Sequence, residues 1–231
     1  MRAYGVGDIH GRLDLLDAIL RQIGADLRDR PVARSFVVFL GDYIDRGPDS
    51  SGVLDRLSQL QADDIEAVFL MGNHEEILLD VLDAKPALLE AWLKFGGSEC
   101  AASYGVDVAR LANLDEARGA DLLARHIPAR HIAFLRSLGD TFRFGDFVFV
   151  HAGIRPGVWL EEQVSRDLRW IREPFLSDPR RHDQVVVHGH TITEGTDDRG
   201  NRIGIDTGAY RTGILTAVAI EPDGSRRFLS T

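Results

Sequence analysis

An α/β fold is predicted by three features of the sequence. Apolar, strand-like runs alternate with helical periodicity along roughly the first 75 residues. Three of those runs are apolar on both faces, as strands buried on both sides of a sheet must be. Each ends in Gly-Asp or Gly-Asn and is followed by a helix, so polar residues gather at the carboxyl ends of strands, where α/β sheets bind their ligands.

Taken in order, "RAYGVGD" reads as a short buried strand ending at Asp8. Leu13, Leu16, Leu20, Ile23 and Leu27 then recur at spacings of three and four, one face of an amphipathic helix. "SFVVFL" at 35–40 is the second strand, and Val53, Leu54, Leu57 and Leu60 mark a helix over roughly 49–61. The third strand, "IEAVFLMG" at 65–72, leads into a helix from about 75. Residues 75–137 are dominated by Leu and Ala and punctuated by "KFGG" and "SYG", which predicts a helical insertion. Strands return with "TFRFGDFVFVHAG" at 141–153, a hairpin turning at Gly145-Asp146. "QVVVHGH" (184–190), "RIGID" (202–206) and "GILTAVAI" (213–220) follow, the last of these separated by the turns "DDRGN" and "EPDGS". Successive hairpins predict a second, antiparallel part. No repeat or linker divides the chain, so one domain spanning 1–231 is expected.

Composition narrows the function. The chain is 44% hydrophobic and 27% charged, ordinary for a soluble globular protein. A net charge of −9 opposes general binding to nucleic acid or anionic lipid, since both need a cationic face. No apolar run approaches the length of a membrane span, and "MRAYGVGDIH" has no long apolar region of the kind that marks a signal peptide. Cys100 is the sole cysteine, so no intrachain disulfide can form and a reducing cytoplasm fits. It reads as a small packing residue of the insertion.

The strand ends supply a set of one chemical kind: Asp8 and His10 in "GDIHG", Asp42 and Asp45 in "GDYIDRG", Asn73 and His74 in "GNHE", His151 in "HAG" and His190 in "HGHT". A lone Asp after Gly is ordinarily a helix cap or turn former, and a lone His after a strand is ordinarily a satisfied core residue. Together they would converge on one edge of the fold. A bare carboxylate cluster there repels itself, and divalent cations relieve that repulsion with oxygen and imidazole as ligands.

The ordered motifs GDxHG, GDxxDRG, GNHE, HAG and GHT resemble those of the calcineurin-like metallophosphoesterases, in the bacterial branch related to serine/threonine phosphoprotein phosphatases. The resemblance runs from "GDIHG" to "IDTGAY" and extends to "LKFGGSECAASYG" and "DLRWIREPF". It implies a four-layer α/β/β/α sandwich of two mixed sheets with two divalent metals between them. Manganese is the expected metal, and iron or zinc also suits the donors. Carried over, Asp8, His10 and Asp42 bind the first metal. Asp42 bridges to the second, which Asn73, His151 and His190 hold. His74 is in the position of the general acid, with Asp45 orienting it, while Arg46 and Arg172 bind the phosphoryl oxygens. Arg172 has a plainer reading, because Arg166, Arg169 and Arg172 repeat at three as on a solvated helix face. Glu75 is either a partner of the ligands or a first-turn helix acid. Tyr210 is a candidate for the rim. His188, two before His190, departs from the GHxH order that other branches of the superfamily use and is read as a neighbour of the ligands or as core.

The leading reading is a metal-dependent phosphoric monoester hydrolase acting on phosphoserine or phosphothreonine, its dinuclear centre activating water. The alternatives are a symmetrical bis(5'-nucleosyl)-tetraphosphatase or other small-molecule phosphoesterase, and a non-catalytic scaffold. The expected partner is thus a phosphorylated protein, peptide or small molecule, without nucleic acid or membrane. The insertion, poor in cations, is expected to leave an open, shallow site.

Overall fold

The computed structural model describes residues 1–60, 65–83 and 85–231. The predicted helix end at 61 and position 84 of the insertion lie outside the described residues.

The first part is the predicted alternation: β1 (Arg2–Val6), α1 (Leu13–Asp29), β2 (Ser35–Phe39), α2 (Ser50–Ser58), β3 (Ile65–Phe69) and α3 (Asn73–Asp83). β1 pairs with β2, and β2 with β3, both in parallel. Asp49 caps α2, its side chain accepting from the Gly52 amide at 2.8 Å. The insertion is helical, with α4 (Leu89–Trp92), α5 (Ser98–Ser103), α6 (Val108–Ala112), α7 (Glu116–His126) and α8 (Ala129–Arg136). Asp107 and Asp115 cap α6 and α7 in the same way. After it come β4 (Thr141–Phe144), β5 (Phe147–Val150), α9 (Ser165–Trp170), β6 (Val185–His188), β7 (Asp197–Asp198), β8 (Arg202–Gly204), α10 (Ala209–Thr212), β9 (Thr216–Ile220) and β10 (Arg226–Ser230).

These strands build two mixed sheets, ordered β10-β9-β1-β2-β3 and β4-β5-β6-β8-β7. The β4–β5 hairpin forms as predicted. The expectation of an antiparallel second part is corrected: β5, β6 and β8 run parallel, and only β4 and β7, at the two edges, are antiparallel to their neighbours. The predicted strand at 213–220 leaves that sheet altogether. As β9 it pairs with β1, and β10, which apolar patterning did not mark, pairs with β9.

The strand period of two separates the layers. Along β2, Val37 and Phe39 join the core under the helices, while Val38 faces the second sheet. Along β9, Ala217 and Ala219 do the first, Val218 and Ile220 the second. Along β5, Phe147 and Phe149 meet the first sheet, and Val148 and Val150 pack outward with Leu168 of α9 and Phe175. A helical layer, two sheets and a thinner outer layer result. Among the described residues no helix is long and apolar enough to cross a membrane.

Candidate active site

Because β1, β2 and β3 are parallel, Asp8, Asp42 and Asn73 emerge at one edge of the first sheet. Because β5 and β6 are parallel, His151 and His190 emerge at one edge of the second. The two edges are stitched together. The His190 amide donates to Asp8 Oδ2 at 3.0 Å, and His151 Nδ1 bonds the Leu40 carbonyl at 2.8 Å. Asp8, His10, Asp42, Asp45, Asn73, His74, His151 and His190 are all buried.

The backbone here is unusual. Among the described residues the non-glycine positions with positive φ are His10, Asp42, Asp45, Arg46 and His190. All are candidate site residues from the sequence. A left-handed conformation costs an L-residue roughly 1–2 kcal/mol, and it persists only where the surroundings hold it. For Asp42 the holder is Glu75, which is fully buried and accepts from the amides of Asp42 and Tyr43, each at 2.8 Å, of Gly72 at 3.0 Å and of Ile44 at 3.3 Å. Of the two readings of Glu75, this geometry selects the partner of the ligand loop.

Two clusters of donors could each hold a metal ion: His10, Asp42 and His74, and Asp42, His151 and His190, with donor atoms within 4.8 Å of one another in each. Asp42 belongs to both, its Oδ2 lying 3.5 Å from His10 Nε2 and its Oδ1 3.4 Å from His151 Nε2. Asp8 lies outside both clusters. Its Oδ1 is buried without a partner, as is His190 Nε2. Asn73 Oδ1 sits 3.0 Å from His151 Nε2 and 2.9 Å from His190 Nδ1.

Tautomers test the fit. His10 Nδ1 bonds the Ile44 carbonyl and His151 Nδ1 the Leu40 carbonyl, both at 2.8 Å, so each must donate there. Burial lowers the pKa of both rings, that of His10 to about 3, and so keeps them neutral. Each Nε2 is then a lone pair within 3.5 Å of an Asp42 oxygen, that of His10 also accepting from Arg46. Lone pairs converging on carboxylates are repulsive alone and cohesive around a cation, with the carbonyls orienting the imidazoles as outer-sphere partners do. These residues fit divalent cations. Burial likewise lowers His190 to about 3. It also raises Asp8 well above the ordinary carboxylate value, Asp206 and Asp42 adding to the shift. Burial opposes ionisation of Asp42, yet His151 and the other imidazoles hold it well below that value. Burial, then Asp42, raises the Glu75 pKa, while His74 and the amides of Tyr43 and Asp42 favour its carboxylate.

His74 behaves differently. Its Nδ1 is 2.6 Å from Asp45 Oδ2, and its Nε2 points at Asp42 Oδ2, 3.9 Å away. Burial opposes its protonation, but the charges of Asp42 and Asp45 outweigh burial and raise its pKa.

Beside the donors lies a cleft of about 310 Å³ lined by Asp42, Arg46, Asn73, His74, Arg172 and His190 on its polar side. Ile77, Leu88, Ala91, Trp92 and Phe95 of the insertion form an apolar wall, joined by Trp170. Ala91 and Phe95 remain exposed, so the insertion walls the cleft without covering it. The expectation of an open site agrees with this, although the insertion takes a larger part in the site than the sequence suggested. Arg46 donates to His10 Nε2 at 2.9 Å and lies 4.9 Å from the Tyr210 ring, which brings Tyr210 to the rim. The helix-face reading of Arg172 is corrected: α9 ends at Trp170, and Arg172 lies beyond it in the cleft. Arg169, by contrast, is engaged by Asp140 and Glu76. His188 packs against Phe175, ring centroids 5.1 Å apart, as part of the core.

Sequence reasoning passed over three residues here. Asp206 in "IDTGAY" is buried beside Asp8, and burial pushes it up to about 6. Its signal was the familiar one, an aspartate directly after a strand. Trp92 donates from Nε1 to Asp45 Oδ2 at 3.0 Å. Trp170 donates to Glu76 at 2.5 Å, which fixes its ring beside His190. Neither tryptophan carries a motif that announces it.

Comparison with known proteins agrees with this arrangement. A protein from Oceanobacillus iheyensis, bis(5'-nucleosyl)-tetraphosphatase PrpE [asymmetrical], is 36% identical over 92% of this chain and 86% of its own length. Serine/threonine-protein phosphatase 1 of Salmonella typhimurium is 29% identical over 94% of this chain and 90% of its own. A crystal structure of a metallophosphoesterase from Sphaerobacter thermophilus superposes with a TM-score of 0.58 at 19% identity, covering all of this chain and 88% of that one. The model of the calcineurin-like phosphoesterase family matches residues 1–212. With that match spanning the strand-end motifs and strands β1 to β8, this chain is a phosphoesterase and belongs to the calcineurin-like phosphoesterase family.

Proposed function

We propose that this chain hydrolyses phosphoric monoesters and that its substrates are phosphoserine and phosphothreonine in proteins or peptides. One observation carries the reading: Arg46 and Arg172 line the same open cleft as the donor clusters, and among the described residues neither is ion-paired with a carboxylate. Two planar guanidinium forks not neutralised by a carboxylate suit one phosphoryl group, although Arg46 also contacts His10 Nε2.

In this reading Asp8, His10 and Asp42 hold one divalent cation, and Asp42, Asn73, His151 and His190 hold a second. The donor set is oxygen and imidazole without thiolate, which suits manganese, our choice, as well as iron or zinc. When bound, such a pair lowers the pKa of a water and stabilises charge on the phosphoryl oxygens. Arg46 and Arg172 clamp the phosphoryl group and orient it. His74, held by Asp45, gives its Nε2 proton to the leaving oxygen. The serine or threonine side chain leaves along the wall formed by Ile77, Leu88 and Phe95. Since β9 and β10, at the end of the chain, close the sheet that β1 begins, we take 1–231 as one domain, and the buried lone Cys100 suits a cytoplasmic setting.

A second reading, hydrolysis of a dinucleoside tetraphosphate, draws on Phe95 and Trp170, exposed rings that a base could stack on. Against it, Arg46 and Arg172 are the cations among the cleft-lining residues, few for a tetraphosphate. The deciding experiment is the ratio of kcat/KM for a phosphothreonine peptide to that for diadenosine tetraphosphate. A ratio above one is expected, and a ratio well below one overturns the phosphoprotein reading. Turnover that survives chelation would overturn the metal-dependent reading, and no turnover on any phosphoester would favour a scaffold.

A further inference from the structure

We propose that Trp92, on the helical insertion, is a positioning residue for proton delivery: its indole N–H locks the Asp45 carboxylate that aims His74. The proposal rests on the reading of His74 as the acid.

A buried tryptophan generally finds some partner for its N–H, so the bond alone means little. Its geometry means more. Trp92 Nε1 and His74 Nδ1 both donate to the same oxygen, Asp45 Oδ2, at 3.0 and 2.6 Å. The other oxygen, Oδ1, is buried and without a partner. A carboxylate can exchange its oxygens by rotating about its terminal torsion, which is soft. Two donors on one oxygen from different directions oppose that rotation. Without the indole, His74 is the remaining side-chain donor to Asp45 Oδ2, and the pair can swing together.

The segment after Trp92 is shaped around this contact. Within Leu93–Gly97 the helix is kinked, Phe95 and Gly96 leaving helical geometry between α4 and α5. A Cβ on Gly97 would lie 2.3 Å from the Trp92 ring, so glycine is what lets the indole seat. Gly96, at φ +112°, accepts from the Arg46 amide at 2.9 Å, and a Cβ there would lie 2.6 Å from Arg46 Cγ. The same few residues thus brace the His74–Asp45 pair through one side chain and the phosphate-binding arginine through one carbonyl. Trp92 also lines the cleft, next to where the leaving group departs.

Trp92→Phe removes the N–H and keeps an aromatic ring. With a phosphoserine peptide, whose alkoxide leaving group needs a proton, kcat should fall about tenfold at unchanged KM, the scale of one charge-assisted hydrogen bond. With p-nitrophenyl phosphate, whose leaving group needs little protonation, the fall should stay within about twofold. Bound metal should match that of the unsubstituted protein. Equal losses on both substrates, or none on either, overturn the proposal. If the phenylalanine variant does not fold, benzothienylalanine at position 92 keeps the bicyclic shape without the N–H and makes the same test. His74→Asn, assayed beside it, separates the two claims. A leaving-group-selective loss in His74→Asn alone removes Trp92 from the account, and its absence in both removes His74 as the acid as well.

Discussion

Replacing Glu75 by glutamine tests how the ligand loop is held. The carboxylate accepts from four backbone amides, those of Asp42 and Gly72 on Oε2 and those of Tyr43 and Ile44 on Oε1. It is fully buried. Glutamine keeps one acceptor oxygen and turns the other into a donor, so whichever way it sits, two buried N–H groups face an NH₂. Each orphaned buried donor costs about 1–3 kcal/mol, which sums to about 2–6 kcal/mol. For a chain of this size 1 kcal/mol shifts Tm by roughly 2–4 °C, so a fall on the order of 10 °C is expected. Thermal unfolding followed by circular dichroism, with chelator present, isolates the loop from any metal contribution. Hydrogen exchange should also quicken at the amides of 42–44. A fall under about 2 °C with unchanged exchange would refute the view that Glu75 carries this loop.

Other outcomes follow from the same contacts. Asp42→Asn should weaken both metals together, because Asp42 is shared by the two donor clusters, and two full equivalents in the purified variant would exclude its bridging role. His74→Asn should lower turnover on alkyl phosphates by roughly 10²–10⁴-fold with little loss of metal, a claim undone if aryl phosphates suffer equally. Burial opposes the ionisation of Asp26, but Arg227, Tyr4 and Arg2 hold its carboxyl down at about 2. A folded pKa below the unfolded one, about 3.9, gives stability that is fully present above that value and is lost as pH falls toward 2. The contribution is about 2 kcal/mol near neutrality, so urea unfolding should show the gap between the unsubstituted protein and Asp26→Asn narrowing from pH 6 to pH 3, and a constant gap would count against the network.

Much of this molecule was determined by the sequence alone. Helices and strands write their periods locally, so the alternation from β1 to α3, the helical insertion and the hairpin at Gly145-Asp146 could be read without coordinates. The metal-type donors could be read as well, because each sits directly after a strand, and parallel strands carry their ends to one edge. Partnership between distant segments has no local mark, and there tertiary structure decided. "GILTAVAI" has the same apolar run whichever sheet it joins, and it went to β1. β10 begins with Arg226 and Arg227, whose charges pair with Asp198, Asp26 and Glu221, so no apolar alternation announced it. Arg172 kept the spacing of a helix face after the helix had ended. Trp92 meets Asp45 across 47 positions, a contact made only when the insertion folds back over the sheet's edge. Composition and period tell a residue which layer it belongs to, and closure of the whole chain tells it which neighbour it meets there.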